Sequence, residues 1–161
     1  MTTFDTVRRR LLALAEALRF LPPLLARIAV GLVFVNTGWG KLHDLASVTN
    51  FFRELGIPYP ELQAPFVASV EFVCGGLVLV GLGARFAAVM LMSTMVVAIK
   101  TAILPDVTGL VDLLGKVEVL YLVIFAWIAI AGAGAVSLDA LVGRLFDRAP
   151  MSPSRRAVAR A

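Results

Sequence analysis

Cysteine and histidine are almost absent from this chain, in which Cys74 and His43 are the single members of their residue types. One cysteine excludes an intramolecular disulfide and a dithiol centre, and one histidine excludes a haem held by a histidine pair. Met90, Met92 and Met95 do not share one helical face, so no metal site is predicted. A dinucleotide-binding glycine fingerprint is also lacking. We therefore expect no intrinsic metal or redox cofactor.

Charged residues are scarce too, at 16% of the chain, whereas hydrophobic residues make up 60%. Soluble domains average about 25% charged and 45 to 50% apolar residues, so this composition indicates a protein embedded in the lipid bilayer. The formal net charge is +4, and the basic residues concentrate near the two ends of the chain. No aromatic-interleaved basic patch accompanies them, so no nucleic-acid partner is predicted.

Four apolar windows approach the length of about 20 residues that a helix needs to cross a bilayer. They are Leu24–Gly40, Ala64–Ala84, Phe86–Leu104 and Val117–Val136. We predict an all-α membrane protein, with an antiparallel bundle of four transmembrane helices over residues 24–141. A tight turn at Arg85 makes the second and third spans a hairpin. Arg27 lies inside an apolar window and is not counted. Of the other Lys and Arg residues, ten fall on the side of the termini and four on the opposite side, which predicts that both termini lie in the cytoplasm.

The segments outside the bundle are basic. Residues 1–23 have apolar residues at a spacing of three and four, which predicts an amphipathic helix in the membrane interface or a docking face for a cytosolic partner. This stripe consists of Phe4, Val7, Leu11, Leu14 and Leu18. Residues 142–161 are expected to form a disordered tail. Between the first two spans, Ser47 is expected to cap a short helix that is either an interfacial connector or a lid over a site.

Ionisable residues inside the apolar windows are the main functional signal, because an ion in hydrocarbon costs about 2.5 to 17 kcal/mol. Threading the spans through the bilayer places four ligand-binding candidates in its outer half: Lys41, Glu71, Lys100 and Glu118. Two cations and two carboxylates are neutral together, as a low-dielectric region requires of ionised groups. Tyr121 follows Glu118 by three residues and is a further candidate, as a hydrogen-bond donor to this group or as an interfacial anchor.

The inner end is expected to hold Arg27 and Arg85 as structural charges, with Asp139 as a counter-ion. For the outer-half group three interpretations stay open: a structural clamp between helices, a ligand or proton site, and lysines that extend to the headgroups without pairing. Glu71 favours function most, since it lies deepest and a carboxylate reaches the surface less easily than a lysine. It is the candidate proton carrier.

Short motifs recur along these windows in a recognisable order. They are Arg27–Phe34, Gly38–Leu42, Phe51–Pro58, Glu71 with Gly75 and Gly76, Gly81–Arg85, and Gly132–Asp139. In this order and spacing they resemble the DoxX family of small four-helix membrane proteins, over roughly residues 27–141. The resemblance implies the same fold for this chain.

The resemblance also implies a redox-linked role. Relatives in that family include a membrane subunit associated with thiosulfate:quinone oxidoreductase and a membrane partner of complexes that handle thiol and oxidative stress. By analogy we expect an accessory subunit of such a complex in the bacterial inner membrane, with protein partners and a quinone as candidate ligand. Homo-oligomerisation is left open. The alternatives are a component of a small-molecule or proton-coupled transporter and a non-catalytic membrane scaffold.

Overall fold

The computed structural model describes residues 3–147, and every regular element within them is helical. The α-helices in these residues are α1 Thr3–Ala17, α2 Leu21–His43, α3 Leu45–Glu54, α4 Pro60–Val80, α5 Ala84–Ala98, α6 Leu110–Leu114, α7 Val117–Ala131 and α8 Leu138–Asp147. A π-helical turn at Ile99–Ile103 and a 3₁₀ turn at Leu104–Asp106 continue α5. The all-α prediction is confirmed.

Three helical runs within the described residues are long and apolar enough to cross a membrane: Val7–His43, Pro60–Val80 and Ala84–Asp106. They contain α2, α4 and α5. The fourth apolar helix, α7, has only 15 residues. The sequence predicts that this helix continues to Val136, but it ends at Ala131, because Gly132 and Gly134 adopt φ angles of 85° and 79°. Such left-handed conformations favour glycine and interrupt an α-helix.

Local sequence signals set the helix ends around the bundle. The cap of α3 is Asp44 rather than the predicted Ser47, since the Asp44 carboxylate accepts the Ser47 backbone N–H at 3.1 Å. The helix itself is confirmed. α4 and α5 are joined by a short turn in which Gly81 and Gly83 have φ angles of 72° and 56°, close to where the sequence predicts a tight turn.

α2 and α4 cross in close contact at three glycines: Gly31, Gly38 and Gly75. A Cβ atom at Gly38 would lie 2.7 Å from the Cα of Phe72, and one at Gly75 would lie 2.9 Å from the Cβ of Phe34. Small residues allow this approach of two backbones, which is a common basis of helix packing in membranes. The contacts follow in reverse order along the two helices, which therefore run in opposite directions.

The apolar core lies where α5 and α7 pack beside this crossing. Leu91 of α5 and Phe125 and Ile128 of α7 are among its largest fully buried side chains. Phe34 of α2 meets the rings of Phe125 and Tyr121 edge to face, with centroids 5.0 and 5.3 Å apart. Edge-to-face pairs add about 0.5 to 1.5 kcal/mol each to the energy of area burial. These contacts fix α7 against α2.

Arg27 joins three segments at one end of the bundle. Its Nε donates to the Val78 carbonyl at 3.1 Å and its Nη2 to the Leu79 carbonyl at 3.3 Å. Its Nη1 donates to the carbonyls of Ala133 and Val136. The first part of α2, the last turn of α4 and the segment after α7 therefore meet at this buried guanidinium.

Asp139 ties α8 to the turn between α4 and α5. Its carboxylate accepts the backbone N–H groups of Gly83 at 2.7 Å and Ala84 at 3.2 Å, which caps α5. Its own N–H donates to the Gly81 carbonyl at 2.8 Å. Because α8 continues to Asp147, residues 142–147 are helical where the sequence predicts a disordered tail. The rest of the predicted tail, residues 148–161, and residues 1–2 lie outside the described residues.

The connection from α5 to α7 is held by its own polar contacts. The Asp112 carboxylate accepts from the Lys116 ammonium at 3.0 Å and from the Thr108 backbone N–H at 3.2 Å. The bond to Lys116 and then the bond to Thr108 hold the pKa of the Asp112 carboxyl below its ordinary value. This network fixes where α7 begins.

Candidate functional site

Lys41 of α2 and Glu71 of α4 form an ion pair, with 2.6 Å between the Lys41 Nζ and the Glu71 Oε1. The Thr37 hydroxyl lies 3.3 Å from the other carboxylate oxygen, Oε2. Thr37 and Lys41 are four residues apart and so lie one above the other on one face of α2. The close crossing of α2 and α4 brings that face against Glu71. Both oxygens of the carboxylate are therefore contacted from α2.

The two partners of this pair differ in exposure. The Glu71 side chain is 3% exposed, whereas the Lys41 side chain is 34% exposed. An ammonium has three N–H donors, and Lys41 directs one of them to Glu71. A buried carboxylate is thus neutralised by an ammonium that can still donate hydrogen bonds to a ligand.

The pair borders a cavity of about 200 Å³ between α3, α4 and α5. Most of its wall is apolar, including Phe51, Phe52 and Leu55 of α3, Phe66 and Val67 of α4, and Val97 of α5. The remaining polar residues of the wall are Gln63, Ser93, Thr94 and Thr101. A mostly apolar cavity with a few polar groups is the usual form of a small-molecule site. The predicted helix between the first two spans, α3, forms one side of it.

Three of the predicted outer-half residues lie away from this pair. Lys100 is exposed in the π-helical turn, and Glu118 is half-buried in the first turn of α7. Neither residue lines the cavity, and neither side chain forms a hydrogen bond or ion pair within residues 3–147. Tyr121 packs its ring against Phe34, and its hydroxyl has no hydrogen-bond partner among the described residues. The structure brings together one cation and one carboxylate, rather than two of each.

At the end of the bundle that is predicted to face inward, two of the three predicted structural charges bind backbone groups. Arg27 donates to carbonyl oxygens, and Asp139 accepts N–H groups of the α4–α5 turn, so the two do not form a direct ion pair. Arg85 is exposed, and its guanidinium lies beside Gly132, where a Cβ would come within 3.1 Å of the Arg85 Nε. Arg27 and Asp139 thus stabilise helix ends and turns through backbone groups.

Five polar residues of the site were not predicted from the sequence: Thr37, Gln63, Ser93, Thr94 and Thr101. Thr37 could have been found from its four-residue spacing to Lys41 on a helix. Ser93 and Thr94 form a polar pair inside an otherwise apolar span, which is also a visible signal. The sequence does not show that their helix, α5, lies across a cavity from Glu71, because that position depends on how the helices pack.

Cys74 follows Glu71 by one helical turn but belongs to the core. Its side chain is buried and does not line the cavity. Within the described part of the chain, no three Cys, His, Asp or Glu side chains are grouped so that they could hold a metal ion. The chemistry available at the site is therefore that of an ion pair, an amide and several hydroxyls.

The fold and the site define an all-helical membrane protein with a buried ion pair beside a small, mostly apolar cavity. The sequence profile described as DoxX matches residues 23–104. The chain belongs to the DoxX family. The matched region contains α3, α4, α5 and nearly all of α2, together with every residue that lines the cavity.

A curated relative supports the membrane assignment. It is a protein of Mycobacterium tuberculosis (strain ATCC 25618 / H37Rv) described as an uncharacterized membrane protein, and it is 43% identical to this chain over 74 residues. That alignment covers 45% of this chain and 45% of the relative, so less than half of either protein is compared. No solved structure matches the chain.

Proposed function

We propose that this protein is an accessory membrane subunit of a redox or thiol-stress complex, and that the cavity beside Glu71 holds the headgroup of a quinone. The observation that carries the proposal is the position of a buried carboxylate–ammonium pair beside a mostly apolar cavity. Pockets for drug-sized ligands have volumes of about 300 to 1,000 Å³. A cavity of about 200 Å³ suits a single substituted ring whose apolar tail stays in the lipid.

Lys41 and Glu71 have complementary roles in this proposal. Lys41 donates to a ring oxygen with an N–H group that Glu71 does not use, and Glu71 holds or releases a proton next to it. A bound quinone supplies two-electron, two-proton chemistry. One histidine cannot form a haem site with a histidine pair, and one cysteine cannot supply the thiolates of an iron–sulfur cluster, so in this proposal a partner subunit supplies the electrons.

We also propose that α2, α4, α5 and α7 cross the bilayer as four antiparallel spans of a bacterial inner membrane. The reverse order of the α2–α4 contacts supports this arrangement, as does the meeting of helix ends at Arg27 and Asp139. The 15 residues of α7 extend about 22 Å, short of a hydrocarbon core of about 30 Å. Residues 132–136 complete the span, and Arg27 satisfies two carbonyls of that irregular segment.

The two amphipathic helices support cytoplasmic termini. Along α1 a stripe of large apolar side chains is exposed, and along α8 another, which includes Leu145 and Phe146. Asp139 holds the start of α8 at the end of the bundle where α2 begins, so both helices leave the bundle at that end. Amphipathic helices with arginines on the polar face bind the headgroup region of anionic leaflets.

Cysteine labelling in spheroplasts tests the orientation. A membrane-impermeant maleimide is expected to label a Ser47→Cys variant directly, but an Arg10→Cys variant only after the membrane is permeabilised. Both positions are exposed, whereas the native Cys74 is buried, so the parent protein provides the unlabelled control. Labelling of Arg10→Cys in intact spheroplasts would contradict cytoplasmic termini.

Glu71→Gln tests the site. The substitution keeps the shape of the side chain but removes the charge that holds the Lys41 ammonium beside the cavity. A displaced ammonium loses its hydrogen bond to the ring oxygen, and hydrogen bonds to charged groups contribute about 1.5 to 3 kcal/mol. We expect a short-chain quinone to bind about 10- to 100-fold more weakly to the variant in lipid nanodiscs, measured by equilibrium binding. Glu118→Gln is the matched control, since it removes a half-buried carboxylate outside the cavity and should leave binding unchanged.

Two other results of this experiment would argue against the proposal. Unchanged quinone binding by Glu71→Gln would mean that the carboxylate takes no part in the site. Failure of the variant to accumulate in the membrane, with Glu118→Gln accumulating normally, would identify the pair as a clamp between α2 and α4. The second result would favour the non-catalytic scaffold.

A further inference from the structure

The hydroxyl groups that α5 and its π-helical extension present to the cavity already use their hydrogens. Thr94 donates to the Leu91 carbonyl at 2.8 Å, and Ser93 donates to the Met90 carbonyl at 2.6 Å. The Thr101 hydroxyl likewise donates to a carbonyl of its own helix at 2.9 Å. A hydroxyl has one hydrogen and two acceptor lone pairs. This wall of the cavity can therefore accept hydrogen bonds from a ligand, but donates none unless a hydroxyl leaves its helix carbonyl.

The donors of the cavity lie on the other helices. Of its polar residues, Lys41 on α2 has N–H groups beyond the one directed to Glu71, and Gln63 on α4 has an amide NH₂. The Glu71 carboxylate accepts only. A ligand oxygen that faces α2 and α4 can thus accept a hydrogen bond, whereas an oxygen that faces α5 must donate one.

We infer that the cavity prefers the hydroxyl-bearing form of its ligand, a quinol or another phenol, to the corresponding quinone. A quinol can donate an O–H to Thr94 or Ser93 while its second oxygen accepts from Lys41. A quinone carbonyl in the same place faces the hydroxyl oxygens with its own lone pairs and forms no hydrogen bond with them. This is unfavourable above all at Thr94, because that residue is buried. This inference rests on the proposed function, because it concerns which form of a quinone-type ligand the same cavity holds.

Three ligands with the same ring and the same short side chain separate the possibilities: the quinol, the quinone and the dimethyl ether of the quinol. Each is titrated anaerobically against the purified full-length protein in lipid nanodiscs. We expect the quinol to bind about tenfold more tightly than the other two, the effect of roughly one hydrogen bond. Equal affinities for quinol and quinone would overturn the inference and leave the proposed function intact. Binding of none of the three would overturn the proposed function.

Substitution of the accepting hydroxyls tests the physical basis of the preference. Thr94→Val and Ser93→Ala each remove an acceptor with little change in shape. At least one of them should lower quinol affinity about tenfold and leave quinone affinity unchanged. Thr49→Val is the control, because Thr49 lies on α3 but does not line the cavity. Equal weakening of all three ligands, or no loss of the preference in either variant, would show that the hydroxyls do not select the ligand.

Discussion

An Arg27→Met variant is expected to lose about 3 kcal/mol of stability, because each buried polar group left without a partner costs about 1 to 3 kcal/mol. The guanidinium donates to four backbone carbonyls, on Val78, Leu79, Ala133 and Val136. Removing a buried charge also recovers part of its desolvation cost, which keeps the net loss below the sum of four bonds. The loss is measured as the free energy of unfolding in mixed detergent micelles.

Two further variants control this experiment. Arg19→Met removes an exposed arginine whose partner is Glu16 in the next turn, and exposed pairs contribute about 0 to 1 kcal/mol. Arg27→Lys keeps the charge, but one ammonium cannot reproduce the geometry of a guanidinium, so its stability should lie between the parent and Arg27→Met. If Arg27→Met were as stable as Arg19→Met, the proposed anchoring of the bundle end by Arg27 would be wrong.

A Gly38→Ala variant is expected to lose up to about 3 kcal/mol, the upper part of the range for overpacking. The new Cβ would lie 2.7 Å from the Cα of Phe72, and a backbone atom cannot move aside as a flexible side chain can. α2 must therefore shift away from α4. Because Lys41 is three residues further along α2, the shift should also lengthen its ion pair with Glu71 and weaken ligand binding at the cavity.

Gly40→Ala is the matched control on the same helix. A Cβ at Gly40 meets no atom within 4 Å, and alanine is favoured over glycine inside a helix by about 0.5 to 1 kcal/mol. The two glycine variants should therefore change the free energy of unfolding in opposite directions. An equal effect of both would mean that backbone propensity, rather than close packing at Gly38, governs this part of α2.

Much of the fold was predictable because the signals are local. Apolar windows of nearly bilayer length identify α2, α4 and α5, and glycines at 81 and 83 mark the turn between two of them. The errors also have local causes. The fourth window predicts too long an α7, because a count of apolar residues does not show that Gly132 and Gly134 adopt left-handed backbone angles, which end the helix. The tail prediction missed α8, whose apolar residues occur at helical spacing from Leu138 onwards.

The site was predictable only in part. Glu71 stands out because a carboxylate inside an apolar span is costly wherever the helix lies. Its partner could not be chosen, since Lys41 and Lys100 have the same charge and similar predicted depth. The structure distinguishes them through the glycine crossing of α2 and α4, which places Lys41 at 2.6 Å, while the π-helical turn leaves Lys100 exposed.

Five ionisable side chains lie in or beside the apolar windows: Arg27, Lys41, Glu71, Lys100 and Glu118. Hydropathy and charge are properties of single residues and short windows, so the amino-acid sequence was enough to show that the chain lies in a membrane, which family motifs it carries, and which side chains are costly in lipid. The pairing of Glu71 with Lys41, the binding of Arg27 to carbonyls rather than to Asp139, and the cavity beside the pair are visible only in the folded chain. Those facts depend on how closely two backbones approach, which is set where distant glycines meet.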